Sequence, residues 1–179
     1  IKFFTDPDFL LILWRSILIA IKTTIICILI GYPTAYFISR CSERVSNILI
    51  LMITLPMWIN MLVRTYAWIG ILSDGGIVST ILSFFGFGEV ELLYTEGAVL
   101  LGMVYNFIPF MILQINTSLS KMDKSLLEAS ADLGANNFQT FWKVTFPLSL
   151  PGVISGISLV FLPAVSSFFI PKLLGGGQY

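Results

Sequence analysis

Long apolar stretches separated by short polar loops dominate this chain. Residues 9–38, 45–72, 98–119 and 151–170 are each long enough to cross a bilayer, which takes about 20 helical residues. A shorter apolar piece at 77–87 is flanked by glycines and predicts a re-entrant or interfacial segment. The pattern therefore predicts an all-α, polytopic transmembrane helical bundle with about four spans, in which residues 1–179 form one domain.

One polar segment, residues 121–151, interrupts the apolar pattern and carries helix signals of its own. Asp123 or Ser125 can cap a helix start, and Ser125 with Glu128 fits the capping-box pattern. Gly134 predicts the end of this helix, because glycine adopts the left-handed conformation of a helix C-terminus without steric cost. Asn136 or Asn137 can then cap a second helix.

The second helix of the segment is predicted to present an apolar face. Phe138, Phe141, Trp142 and Thr145 recur at helical spacing, and two prolines are expected to bound the helix, namely Pro147 and Pro151. Residues 121–151 thus form a helix–turn–helix unit between two spans, which we call the knob.

Charge adds an orientation to this picture. The chain is 56% hydrophobic and 11% charged, as expected of a helical membrane protein. Two loops carry five of the basic residues: Arg40 and Arg44 lie in the first loop, and Lys121, Lys124 and Lys143 lie in the knob. No basic residue lies between Thr65 and Ser120. The positive-inside rule therefore predicts a cytoplasmic knob and an external loop after the second span. That loop carries Asp74, Glu89, Glu91 and Glu96.

Catalytic chemistry has little support in the sequence. The chain has no histidine, and it contains no hydrolase elbow, phosphate-binding loop, dinucleotide-binding glycine pattern or metal-ligand cluster. Catalysis by this chain alone is therefore not expected, and neither is a bound metal, cofactor or nucleic acid.

Polar and aromatic side chains within or beside the spans are the candidates for a substrate pathway, because polar groups are costly in lipid. They are Trp58, Asn60, Arg64, Tyr66, Tyr105, Asn106, Ser166 and Ser167. On an unbroken second helix, Arg64 lies roughly 27 Å from the cytoplasmic end. An aromatic belt with an anchoring arginine, and ordinary helix packing, are the alternative interpretations of these residues. For Lys22, likewise, either protein or water is the expected neighbour.

The knob resembles the EAA loop of binding-protein-dependent ABC importer permeases. That pattern reads E-A-A, three residues, G, nine residues, I-x-L-P, and here it falls on Glu128, Ala129, Ser130, Gly134, Val144 and Pro147. Ser130, Val144 and Phe146 are mild departures in size and polarity. In that family the loop docks in a cleft of an ATPase subunit and transmits its closure to the spans.

Three further runs are similar to the spermidine/putrescine branch of this family; they are Gly31-Tyr32-Pro33, Arg64-Thr65-Tyr66-Ala67-Trp68 and Leu126-Leu127-Glu128-Ala129. The resemblance implies a six-span permease of the bacterial inner membrane, of which this chain holds the second to fifth spans. It also implies a second permease subunit, two ATPase subunits that bind ATP and magnesium, and an external solute-binding protein that delivers a polyamine.

Two other functions compete with this interpretation. An ion-coupled secondary transporter binds substrate at broken helices and needs a buried acidic residue for coupling, which the cores of these spans lack. Related ABC permeases for opines, amino-acid derivatives or ferric ion differ from it in substrate alone. Arg64 opposes a cationic substrate, whereas the aromatic residues and the acidic external loop favour one.

Overall fold

The computed structural model describes residues 7–73, 75–78, 80, 93–167 and 169–176. Over these residues the chain forms helices joined by short turns. They are α1 (Pro7–Arg40), α2 (Glu43–Thr54), α3 (Met61–Leu72), α4 (Glu96–Ser120), α5 (Lys124–Asp132), α6 (Asn137–Thr140), α7 (Phe146–Ser166) and α8 (Phe169–Leu174). Most of the predicted re-entrant segment 77–87, together with Asp74, Glu89 and Glu91, lies outside the described residues.

Three long helices form the centre of the bundle. The stretches 11–40, 96–120 and 137–166 are long and apolar enough to cross a membrane, and α1, α4 and α7 pack against one another. Their shared core contains Ile38, Met103, Met111, Ile115 and Val160, each buried. The first and third predicted spans are therefore confirmed.

The second predicted span is broken, so the prediction of one unbroken helix over residues 45–72 was wrong. A 3₁₀ turn at Leu55–Trp58 follows α2, Ile59 is extended, and α3 leaves at 94° to the preceding segment. Pro56 lies in the turn, and the side chain of Asn60 accepts a hydrogen bond from the Leu62 amide, which starts a new helix in a new direction. Arg64 consequently lies in the first turn of α3, not 27 Å along an unbroken helix.

The fourth span begins earlier than its apolar stretch. Helix runs without a break from Asn137 to Ser166, so the prediction that Pro147 and Pro151 bound the second knob helix was also wrong. Pro147 and Pro151 both lie inside this continuous helix, which extends through them. The knob's second helix is therefore a continuous extension of the span.

Small residues let α7 approach α4 closely. A β-carbon at Gly152 would lie 2.6 Å from Cβ of Ser118 and 2.7 Å from the carbonyl oxygen of Gln114. One turn later, a β-carbon at Gly156 would lie 2.6 Å from the sulfur of Met111. This small-xxx-small spacing is a common device of helix packing in membranes. The core of the bundle depends on it.

Candidate functional site: the knob and the half of the bundle away from it

The first helix of the knob begins at a single acidic cap. The Asp123 carboxylate accepts a hydrogen bond of 2.9 Å from the Ser125 amide, so Asp123 is the cap and the predicted box of Ser125 with Glu128 does not form among the described residues. Because that amide stabilises the charged form, the pKa of Asp123 lies below its usual value. The cap is therefore charged at neutral pH.

The end of this helix is a Schellman motif, as the glycine predicted. The amide of Ala135 donates to the Ser130 carbonyl at 3.1 Å, and the amide of Gly134 donates to the Ala131 carbonyl at 2.9 Å. Gly134 has φ of +78°, and nothing in the described chain lies within 4 Å of where its β-carbon would be. The glycine is required by its backbone conformation, not by lack of space.

Polar side chains hold together the two arms of the knob, which are α5 and the helix that begins with α6. Asn136 and Gln139 form a reciprocal capping box at the start of α6. The hydroxyls of Ser130 and Thr140 lie 2.8 Å apart, which joins α5 to α6. Ser130, the third small residue of the EAA pattern, is therefore buried at the contact between the arms.

Large apolar side chains remain exposed at the tip of the knob. Leu133 is 88% exposed, Phe138 71% and Trp142 50%, although they lie on a unit that is otherwise polar. Phe141 and Thr145 are less exposed, with Phe141 against the rings of Tyr32 and Tyr36 and also against Trp142 at 5.6 Å. Trp142 also contacts Phe138, so the predicted series forms a continuous strip that is exposed at Phe138 and Trp142 and buried at Thr145.

The remaining residues of the EAA pattern are spread along the knob. Glu128 and Ala129 are exposed on α5, and Glu128 lines a cavity of about 390 Å³ together with Arg40 and Thr145. Val144 lines a second cavity of about 320 Å³, beside Gly134. Pro147 is exposed where the knob meets α7. The fold therefore collects the whole pattern into one unit.

In the half of the bundle away from the knob, two aromatic residues and three polar residues come from helices that touch. The rings of Trp68 and Tyr105 pack edge to face at 5.3 Å between α3 and α4, and both line an apolar groove of about 500 Å³. Asn106 is buried and donates to the Gly102 carbonyl at 2.8 Å. Within the described residues, Oδ1 of Asn106, two guanidinium nitrogens of Arg64 and the hydroxyl of Ser167 are buried without a hydrogen-bond partner.

Other predicted pathway residues are placed differently. Trp58 is 88% exposed and Tyr66 60%. Asn60 serves as the cap of α3, and the Ser166 hydroxyl returns to the Leu162 carbonyl of its own helix at 3.1 Å. These four side chains have local or surface positions, whereas Arg64, Tyr105, Asn106 and Ser167 remain as candidates for a pathway.

Sequence reasoning did not single out two cross-helix contacts. Lys22 of α1 forms an ion pair with Glu96 at the start of α4, so protein, not water alone, is its neighbour. The hydroxyls of Tyr32 and Ser149 lie 2.8 Å apart between α1 and α7. No local pattern marks such pairs, since Lys22 and Glu96 are 74 positions apart in the sequence and Tyr32 and Ser149 are 117 positions apart.

The bundle has the fold of ABC importer permeases. A bacterial ABC transporter involved in the import of alginate superposes with a TM-score of 0.71 over 94% of this chain and 61% of that one, at 18% identity. A second structure of the alginate transporter, in complex with its alginate pentasaccharide-bound periplasmic protein, has a TM-score of 0.66 over 85% of this chain and 55% of that one. At such identity the likeness establishes the fold alone.

Sequence comparison gives the family. Residues 27–178 match the binding-protein-dependent transport system inner membrane component family, and the chain belongs to that family. It is 41% identical over 97% of its length to the spermidine/putrescine transport system permease protein PotB of Haemophilus influenzae, and 37% identical to PotB of Escherichia coli. The chain covers 61% and 64% of those two relatives, so it spans less than two thirds of their length.

Proposed function

We propose that this chain is part of the permease subunit of an ATP-driven polyamine importer of the bacterial inner membrane, and that its knob is the docking element for a cytoplasmic ATPase subunit. The docking role rests on one observation: a capped helix, a Schellman turn and a Ser130–Thr140 hydrogen bond keep Leu133, Phe138 and Trp142 exposed at the end of an apolar bundle. Exposed apolar clusters of this kind mark partner surfaces.

The rigidity of the knob suits this role. A docking element transmits movement only if its own shape is fixed, and here backbone and side-chain hydrogen bonds fix both arms. ATP and magnesium are expected on the partner, where hydrolysis takes place. A second permease subunit and a periplasmic solute-binding protein complete the assembly that we propose, in line with the family of the chain.

The docking proposal is tested in the full-length permease, reconstituted with its ATPase and binding protein. Gly134→Val places a β-branched residue at a positive φ, which costs about 1 kcal/mol or more. We expect it to abolish uptake and to detach the ATPase or leave its hydrolysis unresponsive to loaded binding protein. Gly134→Asn is the matched control, because asparagine tolerates this conformation, and it should retain most transport.

Glu128→Lys tests the same surface by charge, since Glu128 is exposed and its replacement leaves the Asp123 cap intact. We expect loss of ATPase response at normal expression. Normal uptake by both Gly134→Val and Glu128→Lys would overturn the ATPase-docking role.

The polyamine assignment is supported by the relatives named for spermidine and putrescine transport. The Trp68–Tyr105 pair offers aromatic faces that attract cations, whereas the Arg64 guanidinium repels them. Uptake of labelled spermidine into vesicles holding the complex, in competition with putrescine, amino acids, opines and ferric ion, decides between these substrates. Competition by an opine or by ferric ion, but not by putrescine, would contradict the assignment.

A further inference from the structure

A widened helical turn lies inside the knob, where its second helix continues into the span. Residues Phe141–Thr145 are π-helical: the Phe146 amide donates to the Phe141 carbonyl, five residues back. Such turns are rare in proteins and are concentrated at functional sites. Here the turn lies between the last residue of α6 and the first of α7.

Pro147 gives this turn a covalent cause. A proline within an α-helix lacks the amide for the bond to the residue four positions earlier, and its ring clashes with that residue's carbonyl, here that of Lys143. Widening the turn just before the proline moves this carbonyl away from the ring and relieves the clash. The proline of the EAA pattern thus determines where the turn forms.

Thr145 is the last residue of the widened turn. Several hydroxyls in the described α-helices bond to a carbonyl four residues back, as Thr24 and Thr117 do at 2.7 Å, although the buried Thr23 hydroxyl of α1 has no partner. Thr145 is 2% exposed, and its hydroxyl has no partner among the described residues. The Phe141 carbonyl, four residues back, accepts the Phe146 amide. The widened turn therefore ends at a buried hydroxyl that is unsatisfied among the described residues.

A contact from α1 holds the turn on its bundle side. The Ser149 hydroxyl donates to the Phe146 carbonyl at 2.8 Å and has no second hydrogen, so the Tyr32 hydroxyl is the donor in the 2.8 Å contact with Ser149. The Tyr32 ring also packs against Phe141 at 5.9 Å and Phe146 at 5.7 Å. Tyr32 therefore contacts Phe141 and Phe146 at the two ends of the π-helical turn, and Ser149 further along α7.

We propose that Pro147 and Tyr32 are positioning residues for energy coupling: the proline imposes the wide turn, and the tyrosine fixes it to α1, so that together they set the rotation of the knob about the axis of α7. A π turn accommodates one extra residue, and one residue of α-helix corresponds to about 100° of rotation. Losing the turn would aim Leu133 and Phe138 away from their present direction. This inference rests on the proposed docking of an ATPase to the knob.

The structural part of the test is a distance measurement in the assembled full-length complex. Spin labels replace Asp132 on the knob and Leu29 on α1, both exposed, in a background without Cys27 and Cys41. We expect Pro147→Ala to shift or broaden the distance distribution, because the turn is then free to become α-helical. Pro151→Ala, the same change one turn further along α7, is the matched control and should leave the distribution unchanged.

The functional part compares uptake with ATP hydrolysis in the same complex. Pro147→Ala should lower uptake per ATP hydrolysed. Tyr32→Phe removes one hydrogen bond, worth a factor of about 2 to 12 in the equilibrium that it biases, and should lower coupling by a factor in that range. Added to Ser149→Ala, it should have no further effect, because both remove the same contact. Thr34→Val, which deletes an exposed hydroxyl bonded within α1, is the control.

The outcomes separate this inference from the docking proposal. If Pro147→Ala and Tyr32→Phe keep the original distances and coupling while Gly134→Val uncouples the complex, the knob docks the ATPase and the positioning role is wrong. If Gly134→Val also leaves the ATPase response unchanged, docking itself is refuted. A changed distance distribution with normal coupling would show that the knob's rotation does not matter, which also overturns the inference.

Discussion

Ser130 and Thr140 share a hydrogen bond of 2.8 Å across the turn of the knob, and Ser130 also donates to the Leu127 carbonyl at 2.9 Å. The EAA pattern has alanine at the position of Ser130, so this chain has gained a polar contact where the pattern requires a small side chain. The contact joins two helices whose other links are the backbone turn and a few packed side chains.

Ser130→Ala should therefore be mild and Ser130→Leu severe. The first removes a hydrogen bond worth about 1 kcal/mol, and the second forces a large side chain into a buried position, at about 1–3 kcal/mol. Limited proteolysis of the knob in the purified complex measures both. Equal protease sensitivity of the two variants would show that the size of residue 130 does not matter.

Asp123 gives the knob a pH dependence of known sign. Its pKa is lowered on folding, so its capping stabilises the knob above the unfolded pKa and is lost as pH falls through the lower, folded value. Hydrogen exchange of residues 124–132 should therefore rise, beyond its intrinsic trend, only below about pH 4.

Two variants isolate this carboxylate. Asp123→Asn keeps a good cap without a titrating group and should lose the pH dependence, whereas Asp123→Ala should exchange fast at every pH. An unchanged acid transition in Asp123→Asn would assign it to another group.

Gly152 tests the close approach of α7 and α4. Gly152→Leu meets Ser118 and the Gln114 carbonyl, and we expect a loss of about 1–3 kcal/mol or more, seen as a lower melting temperature of the detergent-purified complex. Gly70→Ala is the control: nothing described lies within 4 Å of its β-carbon, and alanine stabilises a helix interior by about 0.5–1 kcal/mol. Equal melting temperatures for the two variants would contradict the packing argument.

Thiol labelling tests the orientation of the chain in the membrane. In a background without Cys27 and Cys41, a cysteine replacing Asn136 should resist membrane-impermeant reagents in intact cells, and one replacing Ile77 should react. Both replaced residues lie in turns or at a helix start, and Ile77 is exposed. The reverse pattern would place the knob outside the cell and refute the docking of a cytoplasmic ATPase.

The sequence predicted those features that local chemistry determines. Gly134, with an asparagine two residues later, predicted the turn of the knob, and long apolar runs predicted α1 and α4. The break at Ile59 and Asn60 was missed because Pro56 is compatible with a kinked helix as well as with a broken one. Which of the two forms is decided by packing, and α3 packs against α8, more than 90 residues away in sequence.

The widened turn was beyond prediction for a related reason. Pro147 predicted an end to the helix, which is its effect when nothing else holds the chain. Here the helix continues through Pro147 with a widened turn before it, and the rings of Tyr32 and Tyr36 pack against Phe141 at the start of that turn. Tyr32 also contacts Ser149, 117 positions later in the chain, and no local pattern marks such a contact.

The three long helices are unequally enclosed by this chain: the most apolar window of α4 is 56% buried, against 28% for α1 and 33% for the helix through α7. Because α4 has protein on most sides, each of its side chains must fit in shape as well as in polarity. Within this chain the outward face of α1 makes few contacts, and many aliphatic residues satisfy that condition. We therefore expect amino-acid substitutions among natural relatives to be common on α1 and rare on α4, although the two helices are similarly hydrophobic.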